Sequence, residues 1–189
     1  MVVGLGNPGS RYAGTRHNVG SDTVALIAAR GGERLRDDTK VSASVGDVRI
    51  GDVRVRLAVP MTWMNESGLA VSSLVRRHEP DDWNRLVIVH DELDLEPGVV
   101  RCKVGGGLAG HNGLRDIDRH LSTRDFARVR IGVGKPPGGA EHGANWVLSR
   151  VSGSEREVLV GSVERAADAV ETIATDGIDA AMAQFNARS

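Results

Sequence analysis

Apolar residues along this chain fall into short blocks, and their spacing switches repeatedly between the strand period and the helix period. Val2–Leu5 is a continuous apolar run that ends in Gly6-Asn7-Pro8-Gly9, the pattern of a buried strand followed by a tight turn. Residues 10–18 are polar and predict a loop. Val19–Arg30 has helical spacing through Val19, Thr23, Leu26 and Ile27, and Gly31-Gly32 stops it. Val41–Val48 and Val53–Val59 alternate as two strands joined at Gly51-Asp52, with Pro60 closing the second. Met64–His78 predicts a helix whose apolar side is Leu69, Val71, Leu74 and Val75.

Further on, Leu86–Val89 is apolar at every position, as in a strand covered on both faces. An acidic turn is predicted over Asp91–Gly98, a strand over Val99–Val104 and a glycine-rich loop over Gly105–Gly110. A short helix over Asn112–Leu121 and a strand over Phe126–Val133 complete the series. The remainder is mostly helical, with Val158, Leu159, Val163, Ala166, Val170 and Ile173 on one stripe. Strands alternating with helices, plus one hairpin, predict a single α/β domain over 1–189. It has three layers, with a twisted mixed β-sheet flanked by helices and a C-terminal helical segment at about 153–187.

Composition narrows this further. The chain has 189 residues, with 24 glycines and only 3 % aromatic residues, so Val, Leu, Ile and Ala must build the core. One cysteine, Cys102, can form neither an internal disulfide nor a multi-cysteine metal site. No apolar run approaches the roughly 18–20 residues of a membrane span, and Met1 leads straight into a strand pattern with no leader-like segment. A cytoplasmic protein is the expectation. The formal net charge of −1 hides an uneven distribution. Arg101, Lys103, Arg115, Arg119, Arg124, Arg128, Arg130 and Lys135 make a basic block able to neutralise phosphates. A solvated face balanced by the acidic tail is the plainer explanation of charge taken alone.

Candidate chemistry gathers at predicted strand ends. Gly4-Leu-Gly-Asn-Pro-Gly9 has the spacing of a dinucleotide turn, but Pro8 and the long polar loop after it leave no helix opening at the glycines. The turn instead places Asn7 at the carboxyl end of a strand. His17, in the following loop, is a candidate base if an acid orients it. Asp91 is the best candidate for that acid, since it is expected to emerge at the carboxyl end of the apolar strand Leu86–Val89. The alternative partner, Asp22, stands close in sequence to a helix start and reads better as an N-terminal charge. Asn7, Asn65 and Asn112 stand at element ends and suit either capping or binding of a polar, uncharged ligand such as a peptide backbone. The loop at Gly105–Gly113 could cradle a phosphate with its N–H groups. No nucleophile elbow and no zinc-like spacing is present, so a hydrolase built on these residues would activate water.

Four segments in register resemble bacterial peptidyl-tRNA hydrolases. They are Val3-Gly-Leu-Gly-Asn-Pro-Gly9 with Tyr12 and Thr15-Arg-His-Asn-Val-Gly20, then Pro60-Met-Thr-Trp-Met-Asn-Glu-Ser-Gly68, then His90-Asp-Glu-Leu-Asp-Leu-Glu-Pro-Gly98, and finally Gly105-Gly-Gly-Leu-Ala-Gly-His-Asn-Gly-Leu114 followed by Arg128-Val-Arg-Ile-Gly-Val-Gly134. The resemblance implies a monomeric, cofactor-free and metal-free esterase. Such an enzyme cleaves the bond between a peptide and the 3′-terminal ribose of tRNA, recycling tRNA from prematurely released peptidyl-tRNA, with no membrane and no stable protein partner. It implies His17 as general base, Asp91 as its acidic partner, and Asn7 as the residue separating N-blocked from free aminoacyl substrates. Asn65 and Asn112 would hold peptide backbone and terminal nucleotide, with Asn112 also placing water. Tyr12 and Trp63 would lie near the tRNA 3′ end, and Arg101, Lys103 and Arg130 would contact phosphates. The sequence departs from the family pattern at Leu108-Ala109, in place of a histidine and a glycine, and at Trp63, where a smaller ring is usual.

Overall fold

The computed structural model describes residues 1–139, 142–151 and 153–187. Among these residues seven strands form one sheet: β1 (Val2–Gly4), β2 (Arg36–Asp38), β3 (Ala43–Ile50), β4 (Val53–Pro60), β5 (Val87–Glu92), β6 (Val100–Val104) and β7 (Ala127–Gly132). Their order across the sheet is β2-β3-β4-β1-β5-β7-β6. β1 pairs in parallel with β4 and β5, and β5 in parallel with β7; the remaining pairs are antiparallel. The mixed sheet expected from the sequence is therefore present.

Among the described residues six α-helices cover it: α1 (Val19–Arg30), α2 (Ser67–His78), α3 (Asn112–Leu121), α4 (Gly143–Leu148), α5 (Gly153–Asp176) and α6 (Ile178–Phe185). Residues of α1, α5 and α6 pack with Val87, Val89, Val129 and Ile131 on one face. Residues of α2 and α3 pack with Val3, Ala58 and Ile88 on the other. Alternation along β5 thus feeds two cores, which is why its run is apolar throughout. α1 lies close enough to the sheet that a Cβ on Gly20 would overlap the Val89 carbonyl oxygen, and a Cβ on Gly4 would overlap that of Gly20. Bare glycine at both positions seats the helix. At the far edge the Asn186 carboxamide accepts from the Cys102 N–H at 2.9 Å and donates to the Cys102 carbonyl at 2.8 Å. One side chain there mimics a neighbouring strand.

Several expectations need correction. β2 was not foreseen, because Arg36, Asp37 and Asp38 are polar and carry no alternation; pairing with β3 alone makes them a strand. β5 runs on to Glu92, so Asp91 lies within the strand rather than after it, because pairing with β7 continues through Asp91 and Glu92. The predicted helix from Met64 starts as a 3-10 turn, Met64–Glu66, before α2. Leu69 and Val158 are exposed rather than on the buried stripes. No described helix is long and apolar enough to cross a membrane.

Candidate active site

The connection β1–α1 passes over one sheet face and β4–α2–β5 over the other, and chemistry-bearing residues gather at the carboxyl ends of these central strands. Asp91 is 3 % exposed. Its Oδ1 accepts from His17 Nδ1 at 2.8 Å and from His111 Nε2 at 3.0 Å. His17 arrives on a 3-10 turn, Arg16–Asn18, that precedes α1. His111 is the N-cap of α3, where its Nδ1 accepts the Gly113 and Leu114 N–H groups at 3.1 and 3.3 Å. That cap assigns the tautomer: Nδ1 holds no proton, so Nε2 carries it and donates to Asp91.

Burial acts most strongly on the Asp91 carboxyl and opposes its ionisation. The charge of His17 and the hydrogen bonds from both imidazoles outweigh burial and hold its pKa far below the ordinary carboxylate range. For His17, burial favours the neutral ring, yet the Asp91 charge and hydrogen bond prevail and raise its pKa. His90, fully buried beside them, is pushed well down by burial. Its Nδ1 donates to the Asp91 carbonyl at 2.7 Å, and its ring meets that of His111 edge-on at 5.1 Å.

Asn7 is held on three sides. Its N–H donates to Asn18 Oδ1 at 2.9 Å, its carbonyl accepts from Asn18 Nδ2 at 3.0 Å, and its own Oδ1 accepts the Met64 N–H at 2.8 Å. The side-chain oxygen being engaged, Asn7 offers its amide N–H donors. The Met64 bond also joins the β1 turn to the one bearing Trp63 and Asn65. Tyr12 and Trp63 meet in a T-shaped contact at 5.8 Å, and Trp63 is half exposed. Asn65 and Asn112 are exposed at the starts of the Met64–Glu66 turn and of α3.

The basic block divides. Arg101 and Lys103 of β6 lie opposite Arg130 and Arg128 of β7 in the ladder, so four cations share one face. Like charges side by side repel, and Glu92 relieves part of this by accepting from Arg130 Nε at 3.1 Å. Arg128 is 1 % exposed and is not a surface cation. Its guanidinium donates to the carbonyls of Gly105, Gly106 and Gly107, and burial pushes its pKa down to about 10. Those three carbonyls therefore face an internal arginine, which fixes the loop from its carbonyl side. Arg119, Arg124 and Lys135 pair with Asp116, Asp118 and Asp94. Cys102 is buried, with its thiol pushed up to about 11 by burial, which suits no nucleophile.

His17, Asp91 and His111 are close enough to share a metal ion. The donor chemistry does not fit one. The lone pair of His111 is occupied at Nδ1 by two backbone N–H groups, so its Nε2 is a donor and not a ligand. Sequence reasoning missed His111, Asn18 and Arg16. A histidine directly before a helix start was the available signal for the first.

An acid-supported imidazole at the carboxyl edge of an α/β sheet has the form of a general base held by its partner. A family model described as peptidyl-tRNA hydrolase matches residues 1–189. Among relatives, the peptidyl-tRNA hydrolase of Cutibacterium acnes is 47 % identical, the match covering 98 % of this chain and 97 % of that protein. That of Frankia alni is 46 % identical, covering 99 % and 93 %. A crystal structure of peptidyl-tRNA hydrolase from Acinetobacter baumannii is 41 % identical, with a TM-score of 0.92, covering 100 % of this chain and 94 % of that one. The chain belongs to the peptidyl-tRNA hydrolase family, whose reaction is hydrolysis of the ester bond of peptidyl-tRNA.

Proposed function

We propose that His17 is the general base of this hydrolysis and Asp91 its acidic partner. The 2.8 Å bond between His17 Nδ1 and Asp91 carries the reading. An ionised Asp91 keeps the proton on Nδ1 and leaves the Nε2 lone pair to accept a proton from water. The water oxygen then bonds to the ester carbonyl carbon. As the tetrahedral intermediate collapses, the 3′-ribose oxygen departs with the proton held by His17. The products are a tRNA with a free 3′ hydroxyl and a peptide carboxylic acid, which becomes the carboxylate by releasing the second water proton to solvent. Asn7, its side-chain oxygen engaged by Met64, directs its amide donors at the substrate and separates N-blocked peptidyl from free aminoacyl chains. Asn65 and Asn112 hold peptide backbone and terminal nucleotide, and Asn112 places the water.

The Tyr12–Trp63 pair offers stacking faces to the tRNA 3′ end. Arg101, Lys103 and Arg130 take phosphates of the acceptor arm without reading sequence; Arg130 does so with its guanidinium already shared with Glu92. The whole chain acts as one monomeric domain in the cytoplasm, without metal. The test is hydrolysis of an N-blocked aminoacyl-tRNA at neutral pH, beside the same tRNA with a free α-amino group and a chelator control. Release from the blocked substrate alone, unaffected by chelator and lost in His17→Ala with tRNA binding retained, is expected. An active His17→Ala variant would remove His17 as the base.

A further inference from the structure

We propose that Arg16 is a positioning residue for His17, acting through a clasp made by α4 and the start of α5. The inference rests on the reading of His17 as the base. Arg16 is 3 % exposed despite its charge. Its guanidinium lies over the Trp146 ring at 3.5 Å. Nε donates to Glu155 Oε1 at 2.9 Å, Nη2 donates to the same oxygen, and Nη1 donates to Ser149 Oγ at 2.5 Å and to the Trp146 carbonyl at 3.2 Å. Every nitrogen of the fork is used, and the flat ion is stacked as well, an arrangement lysine cannot reproduce.

The clasp has a fixed reference. Trp146 Nε1 donates to the carbonyls of Val133 and Gly134, directly after β7, at 3.2 and 3.0 Å. Asp91 pairs in register with Ile131 of β7. Both ends of the His17–Asp91 hydrogen bond are thus tied to one strand, Asp91 through the sheet and His17 through Arg16 and Trp146. The loop before Arg16 is attached to the same segment: Thr15 bridges Arg150, Val151 N–H donates to the Gly14 carbonyl at 3.3 Å, and Arg150 donates to the Ser10 carbonyl at 3.1 Å. Within the loop itself the backbone bonds from Tyr12 to Gly9 and from Thr15 to Tyr12 close only local turns. A buried charge is a costly way to gain stability, since apolar residues of similar volume often do as well. What the guanidinium supplies is orientation of the turn next to it.

Placement at this level controls rate, because a shift of about 1 Å in a reacting group can cost up to about 10²-fold. The titratable groups against His17 are Asp91 from β5 and His111 from the start of α3; on its own turn, Arg16 points away to Glu155. Loosening the clasp lengthens the bond to Asp91 and leaves the other contact in place.

The test compares Arg16→Lys, Glu155→Gln and Trp146→Phe in the full chain, by steady-state hydrolysis of N-blocked aminoacyl-tRNA across pH, with His17→Ala alongside. We expect kcat to fall about tenfold in Arg16→Lys, and less in the other two, with KM within about twofold of wild type. The acidic limb of the rate profile should move to lower pH as the support from Asp91 weakens. Variants that melt earlier yet keep wild-type kcat and limb per folded molecule would overturn the proposal. Should Arg16→Lys fail to fold, Glu155→Gln and Trp146→Phe decide alone, by the same two readouts. An active His17→Ala would instead refute the base assignment, whatever the clasp variants do.

Discussion

Replacing Asp91 with asparagine separates the charge of this residue from its shape. Both imidazoles bind the same oxygen, Oδ1, at 2.8 and 3.0 Å, so an amide oxygen in that position can accept both bonds. What disappears is the negative charge beside the imidazolium that the proposed mechanism forms as His17 takes a proton from water. Charge centres about 4 Å apart at an effective dielectric constant near 20 interact by about 4 kcal/mol, equivalent to about 10³ in rate. Retaining a neutral hydrogen bond returns part of this, so Asp91→Asn should lower kcat by about 10²–10³-fold. KM for peptidyl-tRNA should change little, because the carboxylate is buried behind the ring. A histidine acts as a base only when neutral, and Asp91 raises the pKa of His17 against the pull of burial, so the proposed role sets the sign of the pH dependence. The wild-type rate therefore climbs as pH rises through a raised value. In Asp91→Asn the climb should begin at lower pH and reach a lower plateau. The assay is release of N-blocked amino acid from tRNA under saturating substrate, from acidic to mildly alkaline pH, with folding checked by circular dichroism. A kcat within about threefold of wild type, or an acidic limb that stays in place, would refute the electrostatic role of Asp91.

Three further outcomes are expected. His111→Asn should preserve the helix cap, since asparagine is a favoured N-cap, yet lose a donor to Asp91; hydrolysis should drop about tenfold with an unchanged melting temperature, and a fall in melting temperature alone would show His111 to be only a cap. Arg101→Ala with Lys103→Ala should weaken tRNA binding and reduce the slope of log K against log salt by about two, as titrations at several salt concentrations would reveal; an unchanged slope would put the tRNA elsewhere. Gly20→Ala should cost about 2–4 kcal/mol of stability, because its methyl group meets the Val89 carbonyl oxygen; urea unfolding with an unshifted midpoint would show that α1 can move away at no cost.

Elements whose ends carry local chemistry were legible in the sequence. α1 stops at Gly31-Gly32 and α3 begins at Asn112, and both bounds follow from residues at the site itself. β2 was illegible because Arg36–Asp38 contains nothing but polar residues, and only the strand beside it makes it a strand. The His17–Asp91 pair could be anticipated from a strand end and a loop, although Asp91 sits inside β5 where its burial is complete. His111 was not anticipated, since an imidazole at a helix N-cap does the work usually done by serine, threonine or aspartate. Arg128 was misread because a charge tally contains no burial: alternation puts it on the face opposite Val129, and the glycine-rich loop folds over that face too. Arg16 posed the same problem in a different form, its partners lying more than a hundred residues away in sequence.

The pairing of Asn186 with Cys102 bears on the outer edge of the sheet. β6 is the outer strand of the sheet and carries Arg101 and Lys103. A bare edge invites a strand from another molecule, which would zip along the main chain and bury those cations in a dimer seam. A single carboxamide from the C-terminal end fills the hydrogen-bonding slot at the middle residue of β6. No run of two free residues on either side of it is long enough to seed a ladder. Asn186 thus does for the middle of β6 what a paired strand would do, and trimming the chain back past Phe185 would leave the Cys102 N–H and carbonyl open to an incoming strand.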